Sequence, residues 1–182
     1  MTRVLAAVCA LATVPAGLRW LRVAQREHYL PTSVTRFAVR WWRSRPLNLG
    51  LVGVAMIGLA GSLWSPWFGL LVALAQLGPI GLTVRGRTSP LVWTGRLRRL
   101  AVTAGAIVLA FYLTGAMIGS SFLVVLGLLL LPALIDLALA LLAPIEQSLG
   151  SRWVDQAATR LEASGAKVVA ITGSYGTTTT KL

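Results

Sequence analysis

The residues with the clearest chemical pattern form a glycine- and threonine-rich loop near the end of the 182-residue sequence. An apolar run over residues 168–172 predicts a β-strand, and Gly173 and Gly176 lie directly after it. A loop of this kind binds phosphate because its glycines let consecutive backbone N–H groups approach the anion closely. The hydroxyl of Thr178 stands where such loops supply a Mg²⁺ ligand. The pattern therefore predicts a nucleotide-phosphate site.

The same loop departs from the general phosphate-loop pattern G-x-x-x-x-G-K-[ST] at two positions. Ile171 stands where that pattern has its first glycine, and Thr177 stands where it has its lysine. A lysine brings a positive charge to the β- and γ-phosphates, which a threonine lacks. We therefore expect little affinity for ATP from this chain by itself.

The run VVAITGSYGTTTTK, residues 168–181, resembles the ATP-binding loop of the Mur ligases, the ATP-dependent amide ligases that build peptidoglycan precursors. That family's loop reads approximately T-G-[ST]-x-G-K-T-[ST]-[ST]-K. The residues that match it here are Thr172, Gly173, Ser174, Gly176, Thr178, Thr179, Thr180 and Lys181. Residues 26–42 and 143–161 also resemble the membrane-anchored actinobacterial branch of the family, of D-alanyl-D-alanine-adding type, in which a multi-span region precedes the ATPase domain.

The resemblance implies a cofactor, ATP with Mg²⁺, and roles for the loop residues. Those expected to contact ATP are Gly173, Ser174, Tyr175, Gly176, Thr177, Thr178 and Thr179, with Thr178 also contacting the metal. The family's metal-binding acid and histidine, modified lysine and C-terminal domain would follow Leu182. We therefore expect this chain to carry the start of a truncated α/β nucleotide-binding domain and to be non-catalytic by itself. The implied partner is a peptidoglycan precursor, either soluble or lipid-linked.

The other ionisable residues offer little catalytic chemistry. Cys9 and His28 are single residues of their types, which excludes an intrachain disulfide and a multi-histidine metal site. Asp136 is the one acid inside a long apolar stretch. A carboxylate in lipid is costly, so we interpret Asp136 as the structural partner of an interfacial arginine. A substrate or ion role for it stays open.

The composition is that of a membrane protein. Hydrophobic residues make up 56% of the chain, charged residues only 12%, and the mean hydropathy is +0.76. The net charge of +12 comes from arginines in the gaps between apolar runs, which indicates contact with lipid headgroups rather than nucleic acid.

Five apolar stretches predict about five transmembrane helices, at residues 4–18, 47–64, 67–84, 101–118 and 121–143. The first stretch could instead be a secretory signal peptide, although no clear A-x-A-like cleavage site follows it. Ser65-Pro66 and Gly119-Ser120 are short turns that join the later stretches into two hairpins.

The arginines predict how these helices are oriented. Residues 19–46 contain seven arginines and residues 85–100 contain five. With five spans, both segments and the C-terminal tail lie on one side, while the other side receives Arg3 and two short turns. The positive-inside rule then predicts an outside N-terminus and a cytoplasmic C-terminus in the cell membrane.

The chain is expected to divide into a membrane region, residues 1–146, and a cytoplasmic helix, strand and phosphate loop, residues 147–182. Within the first region, a basic helix is predicted near residues 33–44, following Pro31-Thr32-Ser33. Its apolar face carries Val34, Phe37, Ala38 and Trp41, and its polar face carries Arg36, Arg40 and Arg43. We expect this helix to lie in the headgroup plane, with an ordinary solvated loop helix as the alternative.

Two functions remain open from the sequence. The first is the membrane-anchoring N-terminal region of a Mur-ligase-like protein. The second is a stand-alone multi-span scaffold or anchor that recruits a cytoplasmic partner.

Overall fold

A computed structural model describes residues 1–78, 82 and 90–165 of the chain. These residues form helices and turns without any strand. Seven α-helices have the bounds Thr2–Arg26 (α1), Ser33–Arg43 (α2), Pro46–Gly61 (α3), Gly69–Leu77 (α4), Gly95–Ile118 (α5), Ser121–Leu129 (α6) and Leu131–Ala163 (α7). A 3₁₀ turn, Pro66–Phe68, leads into α4. The predicted strand and phosphate loop lie outside the described residues.

Three helices, α1, α5 and α7, are long and apolar enough to cross a membrane. A fourth span results if α2 and α3, which meet at an angle of 110°, are taken as one broken helix. The prediction of an α-helical membrane protein with several spans is therefore confirmed in this coarser form.

The remaining predicted spans are shorter or interrupted in the structure. Helix α3 has 16 residues and the apolar segment Pro66–Leu77 only 12, whereas a perpendicular span needs about 20. The stretch predicted at residues 121–143 is divided at Leu130 into α6 and α7. Pro132 lies two residues after this break, and its ring and missing N–H favour the first turn of a new helix. Hydropathy does not detect this break because Leu130 and Pro132 lie in a uniformly apolar stretch.

The helix ends have identifiable local causes. Thr94 precedes α5 and caps it, because its hydroxyl accepts a hydrogen bond from Leu97 N at 3.2 Å. Gly119 follows the last residue of α5, and its φ of 74° is left-handed. Ser120 caps α6 by accepting from Leu123 N at 3.3 Å. A polar N-cap and a left-handed glycine are the usual signals for such ends, so the Gly119-Ser120 turn lies where the sequence predicts it.

Helix α1 is the centre of the helical bundle formed by residues 1–143. It packs against α2, α4, α5 and α6, and its buried face includes Cys9, Ala16 and Trp20. Trp20 is only 1% exposed, so it is a packing residue here and not an interfacial anchor. Within the bundle, the Thr13 and Tyr112 hydroxyls form a 2.6 Å hydrogen bond between α1 and α5.

The chain divides into two compact units, Met1–Ala143 and Pro144–Leu182. The boundary lies within α7, which continues through Pro144 to Ala163. The separate helix predicted after residue 146 is therefore the second half of a longer helix. Its apolar residues, including Trp153, Val154 and Leu161, are exposed.

Candidate functional site

The predicted ATP and Mg²⁺ contacts, Gly173, Ser174, Tyr175, Gly176, Thr177, Thr178 and Thr179, all lie outside the described residues. The structure does describe a second candidate site, which consists of the amphipathic helix α2 and the helices that pack against it.

Hydrogen bonds to Asp136 join α2 to the bundle. Its Oδ1 accepts a hydrogen bond from Val34 N at 3.2 Å, and its Oδ2 accepts one from Thr35 N at 2.7 Å. These two N–H groups belong to the first turn of α2, where no intrahelical acceptor is available. Asp136 therefore caps α2, although it lies 102 positions after Val34 in the sequence.

Among the residues that the structure describes, the partner of Asp136 is a helix N-terminus and not the expected arginine. The first turn of a helix carries a partial positive charge and two or more free donors, so it stabilises a carboxylate in much the same way as a cationic side chain. Asp136 is only 7% exposed, and both of its oxygens are used in the cap. This geometry supports a positioning role for Asp136 and leaves no oxygen atom without a partner.

Thr32, the residue before α2, does not cap it. Its φ of 65° is left-handed, and its side chain makes no capping bond to the helix. Instead the Thr32 hydroxyl accepts a hydrogen bond from the Arg36 guanidinium at 2.6 Å. His28 and Tyr29 also have positive φ values, 56° and 58°, so the chain reverses sharply between α1 and α2. The sequence signal for the start of α2 is thus correct in position, but the capping group comes from α7.

The two faces of α2 have opposite character. Val34 and Ala38 are buried, and the Phe37 and Trp41 rings stack at a centroid separation of 5.6 Å. The exposed residues on the other face include Arg36, Arg40 and Arg43. The apolar face of α2 therefore packs on the bundle, and its arginines remain on the exposed face.

Contacts of Gln25 and Tyr29 bring the two arginine-rich segments together at one end of the bundle. Gln25 forms a pair of hydrogen bonds with the backbone of Val92, at 2.9 and 3.1 Å. The Arg96 guanidinium lies 4.5 Å from the centre of the Tyr29 ring. The first arginine-rich segment therefore packs on the start of α5, where the described part of the second segment lies.

The opposite end of the bundle contains the N-terminus and a short turn. The Thr2 hydroxyl donates to the Gly119 carbonyl and shares a hydrogen bond with the Ser121 hydroxyl, both at 3.2 Å. Met1 and Val4 also line a small surface pocket with Pro66 and Trp67. The elements predicted to face away from the arginine-rich side are therefore neighbours.

An apolar groove of about 360 Å³ runs beside α2. Residues from five helices line it: Thr35, Ala38, Val39, Trp42, Arg43, Leu49, Leu51, Val52, Ala55, Met56, Ala75, Gln76, Leu129, Leu130, Pro132 and Ala133. Gln76 is 4% exposed, and within the described ranges its Oε1 has no hydrogen-bond donor. Sequence reasoning missed this groove because its walls come from distant segments. The only local signal was a glutamine inside an apolar run.

No metal centre is present in the part of the chain that the structure describes, since no three His, Cys, Asp or Glu side chains there lie close enough to share an ion. Comparison of the chain with protein-family models, curated proteins and solved structures finds no match.

Proposed function

We propose that this chain is the membrane-anchoring N-terminal region of a Mur-ligase-like, ATP-dependent amide ligase of peptidoglycan precursor synthesis. The observation that carries the proposal is the run from Thr172 to Lys181, which matches the family's loop at eight positions. The multi-span character of the preceding residues agrees with the membrane-anchored branch that the sequence resembles. The substrate is a peptidoglycan precursor, soluble or lipid-linked, at the inner face of the cell membrane.

In this proposal the loop residues Gly173–Thr179 hold the ATP phosphates, and Thr178 contacts Mg²⁺. The nucleotide supplies the phosphoryl group that activates a carboxylate for attack by an amine. Thr177 stands in the position of the family's lysine, so the chain lacks a positive charge that would stabilise the γ-phosphate. We therefore assign anchoring, and not catalysis, to residues 1–182.

The proposed topology has five spans, an outside N-terminus and a cytoplasmic C-terminus. Its support is the distribution of charge between the two ends of the bundle. The described arginine-rich segments meet at one end, whereas the other end has Thr2, Pro66 and Gly119 and few charges. The positive-inside rule places the arginine-rich end in the cytoplasm.

The decisive experiment for the ligase relationship is to sequence the genomic DNA downstream of the codon for Leu182. We expect a reading frame, open directly or after a single-base shift, that encodes an ATPase domain. A stop codon in the same position in independent isolates would contradict the proposal.

The assignment of the loop can be tested in the longer protein by the substitution Thr177→Lys. Because a charged hydrogen-bond donor is restored at the γ-phosphate, we expect Mg-ATP to bind about ten- to hundredfold more tightly. Thr180→Lys is the matched control, since it adds the same charge three residues further along. Binding is measured by isothermal titration calorimetry. Equal effects of the two lysines would show that the loop is not used as the family uses it.

Thr177 also favours a second candidate function, a multi-span scaffold that recruits a cytoplasmic partner without using ATP. Micromolar binding of Mg-ATP to residues 1–182 would contradict both the scaffold and the assignment of anchoring alone.

A further inference from the structure

We propose that the groove between α2, α3 and α4 is a binding site for an anionic phospholipid with a hydroxyl-bearing headgroup, such as phosphatidylglycerol. This site is independent of the proposed ligase relationship, because every residue that forms it lies between Thr35 and Ala133.

The shape of the groove suits a hydrocarbon chain. Helix α3 starts next to the end of α2, and Leu49, Val52 and Met56 line the groove on successive turns of α3. At 1.5 Å per residue, Met56 lies about 15 Å along the helix from Pro46. The volume of about 360 Å³ is at the lower end of the range for small-molecule pockets, which fits one chain better than a bulky ring system.

The polar residues of the groove are at its arginine-rich end. Arg43, an exposed residue in the last turn of α2, lines the groove just before α3 begins. Gln76 is in the last turn of α4, where the Arg19 guanidinium donates to the carbonyls of Leu77 at 2.5 Å and Gly78 at 2.8 Å. One end of the groove is therefore cationic and polar, and the walls beyond it are apolar. A phospholipid likewise has a charged, polar headgroup at one end and apolar acyl chains beyond it.

The charge and hydrogen-bonding groups select the kind of headgroup. Arg43 supplies a guanidinium, which pairs well with phosphate oxygens. The Gln76 Oε1 is a buried acceptor that lacks a donor in the described part of the chain, and leaving such an atom unpaired costs free energy. Gln76 lines the groove, so a rotation of its amide into the groove lets a headgroup hydroxyl beside the phosphate supply that donor. Phosphatidylcholine has no hydroxyl or other donor, and its cationic choline would face Arg43.

The test uses the full chain, purified and stripped of lipid, then titrated with phosphatidylglycerol or with phosphatidylcholine of the same acyl chains. Native mass spectrometry counts the bound lipids. We expect one phosphatidylglycerol to bind at least about fivefold more tightly than phosphatidylcholine, the effect of one arginine beside an anionic headgroup. Equal retention of the two lipids would overturn the proposal.

Arg43→Gln and Arg40→Gln form a matched pair of variants. Both remove one exposed arginine from α2, but only Arg43 lines the groove. We expect Arg43→Gln to lower phosphatidylglycerol binding about fivefold and Arg40→Gln to leave it nearly unchanged. An equal loss in both variants would indicate non-specific attraction to the helix and would contradict a defined site.

Gln76→Leu tests the contact between the headgroup and Gln76, because it should change lipid binding and thermal stability in opposite directions. We expect this variant to bind phosphatidylglycerol more weakly, while its lipid-free form melts at a higher temperature, because an unpaired buried oxygen has been removed. Unchanged lipid binding in Gln76→Leu would remove the headgroup contact from the proposal.

Ala133→Leu fills the groove without changing charge, and circular dichroism verifies that it folds. We expect it to lose the bound phospholipid. Two further results would replace the proposed occupant: displacement of phosphatidylglycerol by an equimolar isoprenoid phosphate, or a stable dimer of the lipid-free chain that protects Arg43 from chemical modification.

Discussion

Asp136 illustrates what a single buried acid does in this molecule. An isolated carboxylate within an apolar helix is unfavourable, and the sequence alone suggested an arginine as its partner. The structure instead pairs it with Val34 N and Thr35 N, at the start of α2. The start of α2 therefore supplies hydrogen-bond donors to the buried carboxylate of Asp136. In return, Asp136 determines where this amphipathic helix packs on the bundle. Neither effect requires Asp136 to contact a substrate.

We predict that Asp136→Asn loosens α2. The amide keeps one acceptor oxygen but places an N–H₂ group against a backbone donor, so one of the two bonds is lost. The expected decrease in the free energy of unfolding is about 1–3 kcal/mol, with faster amide hydrogen exchange over Ser33–Arg43. Thermal unfolding and hydrogen-exchange mass spectrometry in micelles measure the two effects. Asp155→Asn, at an exposed position of α7, is the control. Unchanged exchange in α2 would argue against the capping role.

At the scale of helices, the close contact between α3 and α4 depends on a small residue. A Cβ atom at Gly58 would lie 2.9 Å from the Phe68 carbonyl oxygen and 2.9 Å from Val72 Cγ2. Close helix packing of this kind is a main source of stability in membranes, where no hydrophobic effect drives helices together. The apolar composition of α3 predicted a helix, but it did not predict which of its glycines faces α4.

Gly58→Ala is therefore expected to destabilise the helical bundle by about 1–3 kcal/mol, because a backbone oxygen must move to make room. Gly53→Ala, on the same helix, has no atom within 4 Å of the new Cβ and should be neutral or slightly stabilising. Denaturation in mixed micelles compares the two variants. If both alanines have the same effect, intrinsic helix propensity explains it and the close contact does not.

At the scale of the whole molecule, the two ends of the bundle differ in charge. The hydrogen bonds of Gln25 with Val92 join the described arginine-rich segments, and those of Thr2 join the N-terminus to the turn before α6. Charge asymmetry across a membrane protein sets its orientation during insertion. The contacts thus support the proposed orientation, with the arginine-rich end in the cytoplasm.

This orientation can be measured by labelling single cysteines in whole cells, in a Cys9→Ala background. A membrane-impermeant maleimide should label Leu63→Cys, an exposed site near the turn between α3 and α4. Ser44→Cys and Arg98→Cys, both exposed at the arginine-rich end, should react only after the cells are opened. The reverse pattern would invert the proposed topology.

The sequence by itself was sufficient for the properties that depend on neighbouring residues. Hydropathy identified apolar helices, and Gly119-Ser120 identified a turn. The arginine clusters predict which segments face the cytoplasm, and this orientation stays a prediction. The resemblance of residues 172–181 to the Mur-ligase loop is also local, and it stays a prediction because those residues lie outside the described part of the chain.

Only the tertiary structure decided which distant residues meet. It paired Asp136 with a helix start 102 positions away, and it brought Arg43 and Gln76 to one groove. It also divided a continuous apolar stretch at Leu130. These features depend on how helices pack, and packing is set by side-chain shape and by the need to pair buried polar groups. A pattern of hydrophobic residues along the chain contains neither kind of information.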